Sequence, residues 1–520
     1  MLLLQLFFLL VILFGVEASS CSIRKYGDKN IVCVCNETYC DELQRLLNIS
    51  RNQVALYETN EDGDRFKSSL LYFTPNSETE TVNITVDPSK QYQFILGFGG
   101  AFTDAAGINV KSLPDNLQEL LFNSYFSQSG LEYNMGRVPI ASCDFSTHPY
   151  SYADVDNDFE LNHFELAKED FLYKIPLIKR AISLSKDELL LFGSPWSAPA
   201  WMKTNNAMNG KGALKEDPEG KYYRTWANYF VRFLQAYKEN NITFWGLTTQ
   251  NEPSDGCLED FAFQSMCFPA EKQRDFLKNH LGPILQKAGF GIDKLKLMIL
   301  DDVRVFLPNW VDVVLKDKSA AQYVAGVAYH WYTESLMPHK LLDITHQKYS
   351  NVFYLATEAC TGSYFFEFPK VSLGNWQRAE RYAHDILNGL NNWSIGWIDW
   401  NLALDEQGGP NWVKNYVDAP IIINSTSNEF YKQPMYYALA QFSKCLPRGS
   451  YRIGLNLPSE RGALKNLDIG AFQTPEDKRV LIVVNRGEVA VNFNMFDASK
   501  GYLNVTAKPH SVQTYEYLIR

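Results

Sequence analysis

The sequence predicts an α/β protein built on a (β/α)8 TIM barrel, with an accessory β-sandwich assembled from both ends of the chain. Three observations predict it. From about residue 93 to 402, short apolar runs alternate with amphipathic stretches eight times. Strands that alternate with helices pair in parallel, and eight such units over roughly 300 residues suit a closed barrel, with an open doubly wound sheet as the alternative. The polar and aromatic residues that stand out gather where the apolar runs end, which is the active-site rim of a barrel. Outside this stretch, residues 53–90 and 448–520 alternate in period two, the pattern of strands with one buried face.

Taken in order, residues 1–16 are almost continuously apolar and lead into Ala18, Ser19 and Ser20. That run is short for a membrane span and ends in small residues, which predicts a signal peptide over 1–20, with a signal anchor as the alternative. Cys21, Cys33, Cys35 and Cys40 crowd the next segment. Such spacing suits a small disulfide-pinned β module in an oxidising lumen; a zinc knuckle would need a histidine that is not there. The module is expected to comprise 21–46 and 402–432, and the sandwich 47–91 and 448–520. The barrel takes 92–401 and a last helix in 433–447. Its strands are expected at 92–98, 134–140, 188–192, 244–249, 294–300, 324–329, 351–356 and 394–398, and helical spacing is plain at 222–238 and 376–390.

Composition narrows the function. The 520 residues are 46% hydrophobic and 21% charged, as in ordinary globular proteins. A formal charge of −10 supplies no field that would attract a phosphate backbone, so nucleic acid is not an expected partner. No later segment offers a membrane-length apolar run, so no transmembrane segment is expected in the mature chain. Asn-x-Ser/Thr sequons at Asn36, Asn48, Asn83, Asn241, Asn392, Asn424 and Asn504 fit a glycosylated, exported protein. The histidines are scattered and neither HExxH nor GxGxxG occurs, so no metal or cofactor is expected.

Two carboxylates carry the chemistry. Glu252 stands in TTQNEP (248–253), after the fourth strand, and Glu358 in LATEAC (355–360), 106 positions later at the end of the seventh. Both tips open into one mouth. Two glutamates converging there suit glycoside hydrolysis, one protonating the leaving oxygen and the other attacking the anomeric carbon. A lone glutamate at a strand end would more simply be an ion pair or a cap; the second, with Asn251 beside the first, favours catalysis. Whichever of the two is the acid is expected to have its pKa raised toward about 6 by its neighbour's charge.

The residues that make this sequence specific are GFGGAFTD (97–104), RVPIASCDF (137–145), SPWS (194–197), TEAC, GWIDWN (396–401) and GPNW (409–412). Together with Asn-Glu-Pro they resemble the glucosylceramide-cleaving branch of glycoside hydrolase family 30, over essentially the whole mature chain. The resemblance implies a retaining β-glucosidase with Glu252 as acid/base and Glu358 as nucleophile. Asp144, Trp196, Asn251, Trp400 and Asn415 would hold glucose, Trp196 and Trp400 as flat walls, with Arg137, His330 and Tyr332 supporting the carboxylates. It also implies disulfides Cys21–Cys33 and Cys35–Cys40, a lysosomal or secreted location, glucosylceramide in membranes as substrate, and anionic lipid and a saposin-like activator as partners. A related enzyme acting on a polysaccharide, and a non-catalytic sugar- or lipid-binding protein, are the alternatives. Gln250, where such sequences commonly carry Glu, and Cys257, Cys267 and Cys445 depart from the pattern. Cys257 and Cys267 are expected to form a third disulfide, leaving Cys143, Cys360 and Cys445 free. The loops around Leu336-Met337 and SYFFEFP (363–369) are expected at the mouth, with Tyr364, Phe366 and Phe368 outward and Phe365 evenly balanced between exposure and loop core.

Overall fold

The computed structural model describes residues 20–45, 48–77, 82–333, 337–458 and 462–520. The apolar run at 1–19 and Leu336 lie outside the described residues. Eight parallel strands close a barrel: β1 Gly97–Ala101, β2 Met135–Ile140, β3 Leu190–Pro195, β4 Gly246–Thr248, β5 Lys296–Val303, β6 Gly326–His330, β7 Phe353–Glu358 and β8 Ser394–Asn401. Closure comes from β8 pairing with β1, Gly396 opposite Gly97, which decides against an open sheet. The strands at this seam are glycine-rich because they approach closely: a Cβ on Gly99 would stand 2.0 Å from the Met135 carbonyl oxygen. Met135, Phe192, Met298, Ala328 and Leu355 form an apolar cluster among the strands. Outside them, helix Lys221–Glu239 buries Tyr223, Trp226, Phe230, Phe233 and Tyr237 along one face, and helix Trp376–Asn391 buries Ala379, Ala383, Ile386 and Leu390.

Several strand boundaries differ from the sequence reading, and two of the differences have a clear backbone reason. The run at 92–98 divides between sheets, because strand Val82–Phe94 belongs to the sandwich. The Ile95 N–H bonds Ser450 O and the Leu96 N–H bonds Ile395 O, both at 2.6 Å, so the chain crosses from one sheet to the other before β1 begins. At the other extreme, β5 runs on past Leu300 to Val303. Leu300 and Asp301 take left-handed φ of 70° and 58° where the pairing with β6 shifts register, which carries Asp301 and Asp302 to the rim.

The terminal segments pair as a nine-stranded sheet whose inner side chains, including Val54, Ile84, Leu481, Phe493 and Val505, form a core of their own. A five-stranded sheet joins Ile23–Lys25 and Ile31–Asn36 to Glu429–Lys432, Ile421–Asn424 and Leu404–Asp405. Disulfides Cys21–Cys33 and Cys35–Cys40 pin its N-terminal part. Histidines bridge the barrel and the nine-stranded sheet: His384 Nδ1 lies 2.7 Å from Asp468, and His510 contacts Glu380 at 3.0 Å and Glu488 at 3.2 Å. Among the described residues no helix is long and apolar enough to cross a membrane.

Candidate active site

The mouth is organised from below by Arg137. It projects from β2 and is fully buried, and each of its five N–H donors is used. Nη1 reaches Glu358 Oε2 at 2.5 Å and the Thr357 carbonyl at 3.2 Å, Nη2 reaches Asn251 Oδ1 at 2.8 Å and Asp301 Oδ2 at 2.9 Å, and Nε reaches Ser194 at 3.2 Å. A planar fork with fixed donors suits this task better than a flexible ammonium would. Asp301 also accepts from Thr248 at 2.6 Å and Thr357 at 2.7 Å; burial opposes its charge, but the charges of Arg137 and His330, helped by hydrogen bonds from His330 and Thr248, hold its carboxylate well below the usual range. Asp301 was missed by the sequence reading. Its signal was there, an acidic pair directly after the fifth apolar run, at the same rim position as the other site residues.

Glu358 ends β7 with both oxygens engaged, one by Arg137 and the other by the Tyr332 hydroxyl at 2.7 Å. Glu252 lies four residues beyond β4 with φ 38°, a left-handed conformation that is costly for a side chain of this size, and its N–H bonds the Asp301 carbonyl at 2.9 Å. His330, at the end of β6, places Nδ1 2.9 Å from Glu252 Oε1 and Nε2 3.0 Å from Asp301 Oδ1. Burial works against its charge, but Glu358, Asp301 and Glu252 outweigh it and raise His330 to about 10. The imidazolium in turn decides the two glutamates. Burial pushes Glu252 upward, yet the hydrogen bond and charge of His330 hold it below the ordinary range. Burial raises Glu358, with His330 and Arg137 countering only part of the effect. The expected raised pKa of Glu252 is therefore corrected for the empty site, because the sequence reading counted the second glutamate and not the cation between them. Oxygens of Glu252 and Glu358 and a nitrogen of His330 lie within 4.8 Å of one another. Both His330 nitrogens face carboxylates and the ring is cationic, so it has no lone pair for a metal; in the other acidic cluster, Cys35 and Cys40 are joined in a disulfide.

Above these groups opens a cavity of about 250 Å3, lined by Asp144, Trp196, Glu252, Tyr332, Glu358, Trp400 and Asn415 among others. Asp144 Oδ2 accepts from Asn411 and Asn415, both at 3.0 Å. Burial, reinforced by the charges of Glu358 and Glu252 and opposed by the two amides, lifts Asp144 to about 7. Trp196 and Trp400 stack on each other, with centroids 5.1 Å apart and planes 16° apart. They make one double wall and not two facing walls, and the Arg137 guanidinium lies 5.0 Å and 5.6 Å from their ring centroids. Asn251 stands behind the cavity wall on Arg137, and Gln250 is buried with its amide on the Trp196 carbonyl at 2.7 Å. Cys257–Cys267 is the third disulfide, and Cys143, Cys360 and Cys445 are free and buried. At the rim, Phe365, Phe366 and Phe368 are 85%, 66% and 76% exposed. Tyr364, expected outward, is half-buried and gives its hydroxyl to the Tyr332 carbonyl at 2.6 Å.

A parallel barrel whose strand tips bring two glutamates to one small, indole-walled cavity defines a glycoside hydrolase. The glycosyl hydrolase family 30 TIM-barrel domain matches residues 95–446, and the β-sandwich domain of that family matches 449–515. The lysosomal acid glucosylceramidase of Mus musculus is 43% identical over 499 residues, covering 96% of this chain and 95% of that one. Among solved structures, SrfJ of Salmonella typhimurium superposes with a TM-score of 0.81 at 26% identity, covering 90% of this chain and 99% of that one. The endo-β1,6-glucanase BT3312 does so with a TM-score of 0.79, also at 26% identity and with the same coverage. The chain belongs to glycoside hydrolase family 30.

Proposed function

We propose that the enzyme is a retaining β-glucosidase that cleaves glucosylceramide, with Glu358 as nucleophile and Glu252 as acid/base. The observation that carries this reading is the close approach of the two carboxyl groups, an oxygen of Glu252 lying within 4.8 Å of an oxygen of Glu358. Double displacement needs about 5–5.5 Å, whereas inversion, which must fit a water, needs about 6.5–9.5 Å. Glu358 is gripped at both oxygens and cannot swing, as suits a group that must meet the anomeric carbon squarely. Glu252 lies at the open side, where it can reach the bridging oxygen.

A cavity of about 250 Å3 is smaller than the ~300–1,000 Å3 that houses a drug-sized ligand. It suits a single sugar ring, with Asp144 and Asn415 offered to hydroxyl groups and the Trp196–Trp400 wall to the apolar face. Asn251, Arg137, His330 and Tyr332 would act by holding the two glutamates. The aglycone would leave across the exposed phenylalanines, which favours a lipid tail over a sugar chain. Docking on anionic membranes, assistance from a saposin-like activator and residence in the lysosomal lumen belong to the same proposal, supported by the apolar rim and by the likeness to the mouse enzyme. We also infer that the chain divides, after a leader at 1–20, into the module 21–46 with 402–432, the sandwich 47–91 with 448–520, and the barrel 92–401 with 433–447. The deciding experiment measures glucose release at pH 5 from glucosylceramide in anionic vesicles, beside xylan and a β-1,6-glucan. Turnover of either polysaccharide in preference to the lipid overturns the substrate assignment.

A further inference from the structure

One acid at the mouth has no part in this scheme. Asp255 opens the 3-10 turn Asp255–Cys257, lines the same cavity as Glu252 and Glu358, and is hydrogen-bonded through its carboxyl to that of Glu252. Two carboxyl groups in hydrogen-bond contact cannot both be anions without strong repulsion, so between them they hold one proton. The contact is built in. The Asp255 N–H bonds the Glu252 carbonyl at 3.0 Å, and Leu258 N–H closes the turn on the Asp255 carbonyl at 3.0 Å. Disulfide Cys257–Cys267 ties the turn to the far end of its own loop. Gly256 lies so close to that end that an added Cβ would stand 2.2 Å from the Cys267 nitrogen.

The charged groups facing Asp255 are Glu252 from its own loop, Asp302 from β5 and His330 from β6, with Arg137 and Glu358 beyond Glu252. Burial, and then the charge and hydrogen bond of Glu252, push Asp255 up to about 10. His330 meanwhile favours the anion of Glu252. In the empty site the proton therefore rests on Asp255 and not on Glu252, and it must be passed on before Glu252 can act as an acid.

We propose that Asp255 is a positioning residue that stores the proton Glu252 uses. When a glycoside sets its bridging oxygen against Glu252, the proton passes from Asp255 Oδ to Glu252 Oε and on to the leaving oxygen as the glycosidic bond breaks. Both acids are then anions, a repulsion eased because Glu358 has lost its charge in the ester and relieved when Glu252 takes a proton from the attacking water and passes it back to Asp255, so the pair ends as it began. This deepens the acid/base assignment of Glu252 and rests on it.

The test is the pH dependence of kcat/KM for Asp255→Asn and Asp255→Glu, with an alkyl β-glucoside that needs protonation and a dinitrophenyl β-glucoside that does not. With the alkyl glucoside, Asp255→Asn is expected to lose its alkaline limb by about one pH unit or more, because Glu252 then titrates alone beside His330. The dinitrophenyl profile is expected to stay in place, and Asp255→Glu, which keeps the acid, to recover most of the wild-type limb. An unmoved alkaline limb in Asp255→Asn, equal shifts on both substrates, or failure of Asp255→Glu to recover the limb would overturn the proposal. Azide rescue of Glu252→Ala separates the two readings: formation of β-glucosyl azide establishes Glu252 as acid/base whatever Asp255 does, and its absence rejects that assignment and the storage role with it.

Discussion

His330 joins Glu252 to Asp301, its two ring nitrogens 2.9 and 3.0 Å from the two carboxylates. One cation thus links the partly exposed Glu252 to the fully buried Asp301. Removing it should change proton affinity more than shape. In His330→Gln, Glu252 loses the charge that holds it ionised, and Glu358 loses the charge that counters its burial. Both pKa values rise, so both limbs of the kcat/KM profile should move to higher pH. A profile that only shrinks, with its limbs in place, would show that the charge of His330 does not govern the pair.

The roles of the glutamates separate by leaving group. Glu252→Gln should lose about 10²–10⁴-fold on glucosylceramide and far less on a dinitrophenyl glucoside, the range expected for loss of a general acid. Glu358→Gln should lose both activities and resist covalent labelling by a fluoroglucoside, while Glu252→Gln is still labelled. NMR should show β-glucose as the first product; initial α-glucose would reject retention.

Arg137 is surrounded by two carboxylates at 2.5 and 2.9 Å with no solvent to replace it. Arg137→Ala should lower stability by about 3–5 kcal/mol, because it strands buried charge. Arg137→Lys should recover only part of this, since an ammonium cannot match five donors in a plane. Thermal unfolding measures the difference, and equal melting temperatures for Arg137→Ala and wild type would contradict it.

The barrel–sandwich contact should respond to pH. Burial alone would lower His510, but its hydrogen bonds to Glu380 and Glu488 win and raise it. A raised folded pKa means that the contribution to stability is fully present below the unfolded value of about 6.5 and fades as pH climbs through the folded value. His510→Gln should therefore narrow the stability gap between pH 5 and pH 8, as read from melting temperatures at each pH. A gap of unchanged size would place the pH dependence elsewhere.

The exposed phenylalanines should matter only at a surface. Phe366, 66% exposed and stacked on Tyr364 with centroids 5.2 Å apart, is not among the residues that line the cavity. Phe366→Ser should cut turnover of glucosylceramide in vesicles several-fold or more and leave a soluble aryl glucoside nearly untouched, since Phe366 is exposed and does not line the cavity. Equal losses on both substrates would assign the loop to folding or to the sugar site.

The fold class was legible because alternation of strand and helix is a local pattern, repeated eight times and confined to one stretch of chain. Glu252 and Glu358 were legible because barrel topology sends every strand tip to one face, so order along the chain predicts convergence. Asp301 escaped because the fifth strand bends through left-handed residues and continues past the point where its apolar run stops. Asp255 drew no notice as one acid in a polar loop. Its meaning comes only from where the turn and the third disulfide aim it. The stacking of Trp196 on Trp400 and the protonation order of the glutamates likewise belong to tertiary structure. Sequence spacing tells which residues arrive at the mouth, but ring packing and pKa depend on distances of a few ångströms between groups far apart in the chain, and Arg137 and His330 set those distances.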